Sequence, residues 1–496
     1  MVTFMSRYSR LPNNDLPSNN SEISSSKPPT AFGRARVRWA LIGAAFLSLL
    51  LLLGLASSQA DHPSVKSWRA TASQYAGKLN PGGKWPWSGS SGGSTGQSRP
   101  QAGQEMEKWI NGSGRLDLKY DDPFNPEDLT LTEDECDAFF PGLWDEIDRS
   151  VRWFTKHPNT KEYLDRVCDD GIWSHARVVV HNNRVYLKYF QQSAFTRINA
   201  ALGLLQQSVI TSRERLPDVE FCLSTNDWGS MGKMSLDRAP YLEDVWLMPD
   251  YGWYSWPEPG VGSYSELREK TLRVERSTKW EEKIPKLFWR GNMGVGTADR
   301  ESMLGVSEKY EWNDAKPLDW GKPEEIVPME DHCKWKFHGF PEGMTYSGRL
   351  RYLQNCKVVI VTHEPRWIQH WTHLYNADPT SPDQNIVFVP PVQGPTSEGI
   401  EVHDEKGEVS KSTTWLRLPE VMEELLNDDA KAKRIAENQW NFFRERYVSP
   451  ASAACYWRKL IKGYASTQKF DVEYHGNETS YESFVLLGNK LKGQPR

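Results

Sequence analysis

Residues 331–361, DHCKWKFHGFPEGMTYSGRLRYLQNCKVVIV, constrain the fold more than any other stretch of this chain. Lys334–Phe340 reads as a strand and Pro341–Tyr346 as a loop carrying Gly343. Ser347 reads as the N-cap of a helix through Leu350 and Leu353, apolar at a spacing of three. The β-branched run Val358–Val361 then reads as a buried parallel strand. Arg349 falls in the first turn of that helix, where unpaired N–H groups attract anions. The helix dipole disfavours a cation there unless an anion accompanies it. A phosphate satisfies both conditions, so a phosphate-bearing ligand is the first hypothesis. An exposed arginine, or one paired with Glu342 or Asp331, is the structural alternative.

The compartment is read from the other end. Trp39–Ala56 is an apolar run of eighteen residues without charge, enough for roughly 27 Å of helix. Arg7, Arg10, Lys27, Arg34, Arg36 and Arg38 precede it against only Asp15 and Glu22, and Asp61 follows. That bias predicts an uncleaved signal anchor with a cytosolic N-terminus and everything beyond it luminal, in the Golgi or the ER membrane. Cleavage after Ser58-Gln59-Ala60 is the alternative. The cysteines, Cys136, Cys168, Cys222, Cys333, Cys356 and Cys455, all fall on the luminal side. An even count there permits disulfides, with about 15 pairings open. The sequons at Asn111 and Asn477 are luminal as well and are candidate glycosylation sites. A net charge of −5 gives no basic field for nucleic acid. The 22 tryptophans are a large excess, and flat rings with a polar N–H suit sugars as well as cores.

Composition divides the chain into a polar, disordered tail (1–36), the anchor (37–57) and a Gly/Ser-rich stem (58–114). A body follows that is long enough for two α/β domains, 115–283 and 284–470, and then a tail, 471–496. In the first domain Arg177–Val180 and Arg184–Tyr189 flank His181-Asn182-Asn183 as a hairpin. Thr196–Ile210 reads as a helix and Val219–Leu223 as a short buried strand. Asp227 stands just beyond that strand, where open α/β sheets place ligands; its structural alternative is a turn cap. The aromatic, proline-rich stretch 250–260 is either a packed loop or a carbohydrate-facing wall, with Trp253, Trp256 and Glu258 as candidate acceptor contacts.

In the second domain Lys286–Trp289 is a strand ending in Arg290 and Gly291, and Arg300 follows in the next helix. The glycines at 291, 294 and 296 do not have dinucleotide-binding spacing. Arginines after two strands of one domain can converge on a diphosphate through forked hydrogen bonds. Val421–Leu426, Asp429–Tyr447 and Ala451–Tyr464 read as terminal helices packing across the domain seam. No D-x-D triplet occurs, which favours a site that uses arginines in place of a cation. His363, His370 and His373 lack a nearby cysteine or paired carboxylate in sequence, so no metal site is expected.

Three stretches together carry a resemblance. They are Leu287-Phe-Trp-Arg290-Gly291 with Arg300 downstream, Cys333-Lys-Trp-Lys-Phe through Tyr346-Ser347-Gly348-Arg349-Leu-Arg351-Tyr, and Cys455-Tyr-Trp. Over roughly residues 140–465 the chain resembles glycosyltransferase family 90, which includes fungal capsule-associated xylosyltransferases and animal protein O-glucosyltransferases. The resemblance implies a GT-B fold of two Rossmann-like domains around a cleft, UDP-sugar donors, no metal or other cofactor, and inversion at the anomeric carbon. By motif it assigns Tyr346, Ser347, Gly348 and Arg349, with Arg290 and Gly291, to the donor, and Asp227 to the role of base. It also implies a Cys333–Cys356 disulfide, leaving the other four cysteines open. The segment Asn226-Asp-Trp-Gly departs from the animal members, which commonly follow the aspartate with Tyr or Thr and Pro.

The expectation is therefore an inverting, metal-independent transferase. It moves xylose or glucose from a UDP-sugar to a hydroxyl of a glycan or glycoprotein in the secretory pathway. Two rivals stand beside it. One is a carbohydrate-binding or scaffold protein that keeps the fold without catalysis. The other is a glycoside hydrolase, which needs two facing carboxylates, with Glu258 the available partner for Asp227.

Overall fold

The computed structural model describes residues 118–169, 174–191, 196–319, 321–322, 325–392, 398–404 and 407–493. The expected anchor and stem, and Asn111, lie outside them. Among the described residues no helix is long and apolar enough to cross a membrane.

The fold is α/β. Helices α1 (Glu133–Phe139), α2 (Asp145–Lys156) and α3 (Lys161–Cys168) lead into strands β1 (Ala176–His181) and β2 (Arg184–Phe190). Thr132 and Glu135 close a reciprocal cap on α1. The β1–β2 hairpin turns on Asn182 and Asn183, both left-handed (φ 50° and 54°), which asparagine tolerates and which suits the twist of paired strands. Helix α4 (Thr196–Ile210), β3 (Val219–Leu223), β4 (Met234–Ser235) and β5 (Trp246–Leu247) follow. The first sheet has the order β15-β2-β1-β3-β4-β5. Its edge strand β15 is Thr479–Ser480, from the far end of the chain. A two-stranded ribbon, β6 (Ser255–Trp256) and β7 (Gly262–Ser263), runs into helix α5 (Tyr264–Ser277).

The second sheet is parallel throughout. It comprises β8 (Ile284–Gly291), β9 (Asn313–Pro317), β10 (Trp335–Gly339), β11 (Val359–Thr362) and β12 (Val387–Phe388), in the order β12-β11-β10-β8-β9. Helix α6 (Thr297–Ser307) connects β8 to β9. Side chains of the expected strand go to both faces, as a doubly covered strand requires. Val359 and Val361 join one apolar core, and Val358 and Ile360 join another.

The expected helix after Ser347 is shorter than its pattern suggests. Helix α7 holds only Leu350–Leu353, and Ser347 makes no cap: the residue before the helix is Arg349, itself helical in backbone. Two features end the helix. Cys356 is bonded to Cys333, and the side chains of Asn355 and Gln439 take the carbonyls of Arg351 and Gln354. Beyond the antiparallel pair β13 (Ile400–His403) and β14 (Val409–Ser412) come α8 (Leu418–Asn427) and α9 (Asp429–Gln439), a π-helical stretch at Trp440–Tyr447, α10 (Pro450–Thr467) and α11 (Tyr481–Leu486).

The terminal helices divide between the two sheets. α9 packs on β11, whereas α10 packs on α2, α4 and β3 of the first sheet. Cys455 in α10 is bonded to Cys136 in α1, and Cys168 to Cys222, so three disulfides use all six cysteines. Tyr346, Tyr352 and Trp371 from the second half belong to the core of the first, so the seam between the sheets is packed.

Candidate functional site

Strand order locates the site before any side chain is considered. From β8 the chain moves to one side for β9, then crosses to the other for β10, β11 and β12. The order reverses between β8 and β10, and open α/β sheets bind ligands outside the carboxyl ends at such a reversal. The segments leaving those ends are 292–296 and 340–349. They are pressed together. Gly296 is left-handed (φ 58°), and a Cβ on it would lie 2.6 Å from the carbonyl oxygen of Gly343.

Two arginines meet there. Arg300, in α6, is buried, and its Nε has no partner. Its Nη1 donates to the Asn292 carbonyl, and a Cβ on Gly343 would approach its Nη2 to 3.5 Å. Burial lowers its pKa to about 10. Burial lowers that of Arg349 to about 9, and the nearby charge of Arg300 adds to the effect. Among the described residues neither guanidinium makes an ion pair. Arg290 is placed differently: Nη2 meets Asp314 Oδ1 at 2.8 Å, and the guanidinium lies 4.5 Å from the Phe288 ring. It is taken up between β8 and β9. Gly291 beside it leaves room for the Trp289 ring, which a Cβ would approach to 2.3 Å.

The first sheet supplies the facing groups. Asp227 lies after β3 with its side chain 40% exposed, and Arg197 Nη1, in the first turn of α4, donates to its Oδ1 at 2.7 Å. Arg197 also lies over the Tyr251 ring at 5.0 Å. Burial opposes its charge, but Tyr251 and Asp227 more than compensate and raise its pKa. Trp228, about half exposed, stands edge-to-face with Trp367 at 5.3 Å, joining the loop of Asp227 to the segment after β11. Asp237, after β4, is fully buried, and neither of its oxygens has a hydrogen-bond partner. Burial is the main cause of a pKa pushed up to about 8. The Thr345 hydroxyl and the Tyr346 amide draw it down somewhat without making a hydrogen bond of ordinary geometry, and Asp227 pushes it further up.

The remaining expected contacts scatter. Tyr346 is buried with its hydroxyl unpartnered, and Ser347 is half-buried. Gly348 leaves space for Trp256, whose ring a Cβ would meet at 3.2 Å. Trp256 packs on Tyr251 and Tyr352. Trp253, expected on an acceptor wall, is instead core, buried among Tyr264, His370 and Trp371. Glu258 is exposed and accepts from Thr196. Asn477 is exposed, as a glycosylated residue must be.

Asp299, Glu342 and His363 bring ligand-type atoms within 4.8 Å of one another. Arg366 already serves both carboxyls, through Nη2 to Asp299 and through Nε to Glu342 at 3.2 Å. Glu275 lies near Cys333 and Cys356, whose sulfurs are spent on each other. The three histidines do not converge: His370 is buried against Trp253 and Tyr456, and His373 Nε2 sits 2.6 Å from the Gly142 carbonyl.

Sequence reasoning missed Arg197, Asp237, Trp228 and Trp367. Trp228 adjoins Asp227 in sequence, a usable hint. The others are brought in by pairings between distant elements.

The model of glycosyl transferase family 90 matches residues 132–377. The O-glucosyltransferase rumi homolog of Aedes aegypti is 25% identical over 294 residues, covering 52% of this chain and 64% of that protein. O-glucosyltransferase rumi of Drosophila melanogaster is 23% identical over 293 residues, covering 52% and 62%. Protein O-glucosyltransferase 1 of Homo sapiens is 22% identical over 285 residues, covering 52% and 65%. The chain thus spans a little under two thirds of the length of these relatives. Through residues 132–377, which hold Asp227, Arg300 and Arg349, the chain belongs to glycosyl transferase family 90.

Proposed function

We propose that this protein is an inverting, metal-independent glycosyltransferase of GT-B type that moves a sugar from a UDP-sugar to a hydroxyl of a glycan or glycoprotein. The observation that carries this reading is the pair Arg300 and Arg349, two neighbouring guanidiniums without a counter-charge among the described residues, at the reversal of a parallel sheet. Holding two such cations together is unfavourable unless an anion joins them. A diphosphate does so with forked, charge-assisted hydrogen bonds.

The arginines stabilise charge building on departing UDP, the part that a divalent cation plays in other transferases. Asp227, held by Arg197, removes the acceptor proton as the hydroxyl attacks the anomeric carbon from the face opposite UDP. General-base help of this kind contributes about 10²–10⁴-fold. The sugar passes through an oxocarbenium-like state, as in inverting glycoside hydrolysis. Trp228 and Trp367 are the rings assigned to the acceptor side, replacing Trp253. Trp256, over Gly348, lines the donor loop.

The names of the relatives favour glucose over xylose and a protein acceptor over a polysaccharide. Three disulfides support an oxidising compartment, in keeping with a type II protein anchored in the Golgi or ER membrane through residues 37–57.

The test uses the full-length chain and its Asp227→Asn variant against a panel of UDP-sugars, following UDP release with EDTA present. Release from one donor that collapses in the variant is the expected result. UDP-sugar binding without turnover, even with sugar acceptors added, would point to a non-catalytic binder. Absence of UDP binding would overturn the reading.

A further inference from the structure

We infer that Asp237 is a specificity-determining residue of the donor site, its carboxyl taking a hydroxyl of the sugar carried on the nucleotide. The inference rests on the transferase reading above and goes beyond it, because neither the motifs nor the general-base role involves this residue.

Buried polar atoms in folded proteins are nearly always hydrogen-bonded, and each exception calls for an explanation. Asp237 is fully buried with both oxygens unpartnered. It is not alone. Thr345 Oγ1, the Tyr346 hydroxyl and Asn226 Nδ2 are likewise buried without partners. These groups come from the loops that follow β3, β4 and β10, and the Thr345 hydroxyl and the Tyr346 amide lie against the Asp237 carboxyl, so a loop of each sheet brings polar groups to one place without completing a hydrogen bond between them. An apolar ligand would leave them so, and a phosphate would be repelled by a cluster of carboxyls. A polyhydroxylated ring satisfies several at once.

The position along the loop selects the donor sugar. Thr345 and Tyr346 lie between Gly343, which adjoins Arg300, and Arg349 itself. A group next to the diphosphate along that loop is the sugar bonded to it. Burial is the main reason that the Asp237 carboxyl stays neutral, against the Thr345 hydroxyl and the Tyr346 amide, and the charges facing it add to the effect. Asp227 and Asp250 raise its pKa, and Asp237 in turn raises that of Glu342. The neighbouring cation Arg238 is spent on Glu146 at 2.8 Å. A neutral acid both donates and accepts, which matches a sugar hydroxyl better than a carboxylate does.

The experiment measures, for the full-length chain, the affinity of UDP and of a panel of UDP-sugars (glucose, xylose, galactose, N-acetylglucosamine) by calorimetry from pH 6 to 9. In Asp237→Ala, UDP affinity is expected to stay within about twofold, while the advantage of the preferred UDP-sugar falls roughly 5- to 150-fold. In wild type that advantage falls as pH rises through about 8, where the acid ionises. The isosteric Asp237→Asn, which folds even if the alanine variant does not, shows a preference independent of pH over that range. An unchanged preference in Asp237→Ala, or a wild-type pH dependence surviving in Asp237→Asn, would overturn the inference while leaving the transferase reading intact. Wild-type protein that binds no UDP would overturn both.

Discussion

Cys136 in α1 is bonded to Cys455 in α10, across 319 residues of sequence. The first helix of the body and its last long helix are thus one covalent unit on the first sheet. Losing a native disulfide costs about 2–5 kcal/mol. Cys136→Ser and Cys455→Ser are each expected to lower the melting temperature by the same amount, and the double variant by no more than either. Thermal melts of the three proteins check this.

The three arginines are expected to divide between ligand and scaffold. Arg300→Ala and Arg349→Ala are each expected to weaken UDP binding about 10- to 100-fold. Arg290→Ala should leave UDP affinity within about threefold and act on stability, since it deserts Asp314, which is partly buried. Calorimetric titration with UDP, beside a melt of each variant, distinguishes the two kinds of effect.

Asp227→Asn is expected to lower kcat by about 10²-fold or more with UDP affinity unchanged. Arg197→Ala, which frees the same carboxyl from its 2.7 Å partner, should cost less than the loss of the carboxylate itself. If Arg197→Ala proved the more damaging of the two, Arg197 would have to contact substrate directly. Steady-state kinetics on the identified donor settles the order.

Stability carries a pH signature of buried acids. Asp237 and Glu342 have pKa values raised to about 8, in both cases chiefly by burial, from ordinary values of 3.8 and 4.5. The folded state therefore keeps protons that the unfolded chain releases above about pH 4 to 5. The contribution of these groups is fully present below that range and is lost as pH rises to about 8. The melting temperature of Asp237→Asn should fall less steeply between pH 5 and 8 than that of wild type.

Gly252 guards a buried ion pair. A Cβ there would lie 1.6 Å from Arg351 Nη2, and Arg351 pairs with Asp250 where both side chains are wholly buried. Gly252→Ala displaces the guanidinium and leaves Asp250 uncompensated, a change expected to cost about 3–5 kcal/mol. Chemical denaturation of the variant gives the number.

Local patterning made much of this legible. Thr196–Ile210 and Val219–Leu223 stand in the structure with the boundaries read from the sequence, and the Asn182-Asn183 turn lies where two β-rich runs meet. Their signals are short-range. The strand expected at 358–361 formed as β11, shifted by one residue, because its β-branched run suits a sheet covered on both faces. Helix α7 fell short because the bond to Cys333 and the side chain of Gln439, both reaching in from elsewhere in the chain, help to end it, which no local period encodes. Trp253 shows the ambiguity of aromatic residues: a ring suited to sugar is equally suited to a core. Asp237 was invisible for a further reason. An aspartate after a two-residue strand looks like a turn residue until the opposite loop closes over it.

The return of α10 to the first sheet sets an order on how the chain comes off the ribosome. The second sheet is contiguous, from Ile284 to Phe388, and can close on itself as soon as it emerges. The first cannot, because it waits for α10 and for the edge strand β15. At roughly 5–20 residues per second, the 319 residues between Cys136 and its partner take about 15–60 s to synthesise. Throughout that interval the half bearing Asp227 stays open, with an unpaired thiol at Cys136. The half of the candidate site that carries Arg300 and Arg349 can therefore be built before the half that carries the carboxylates.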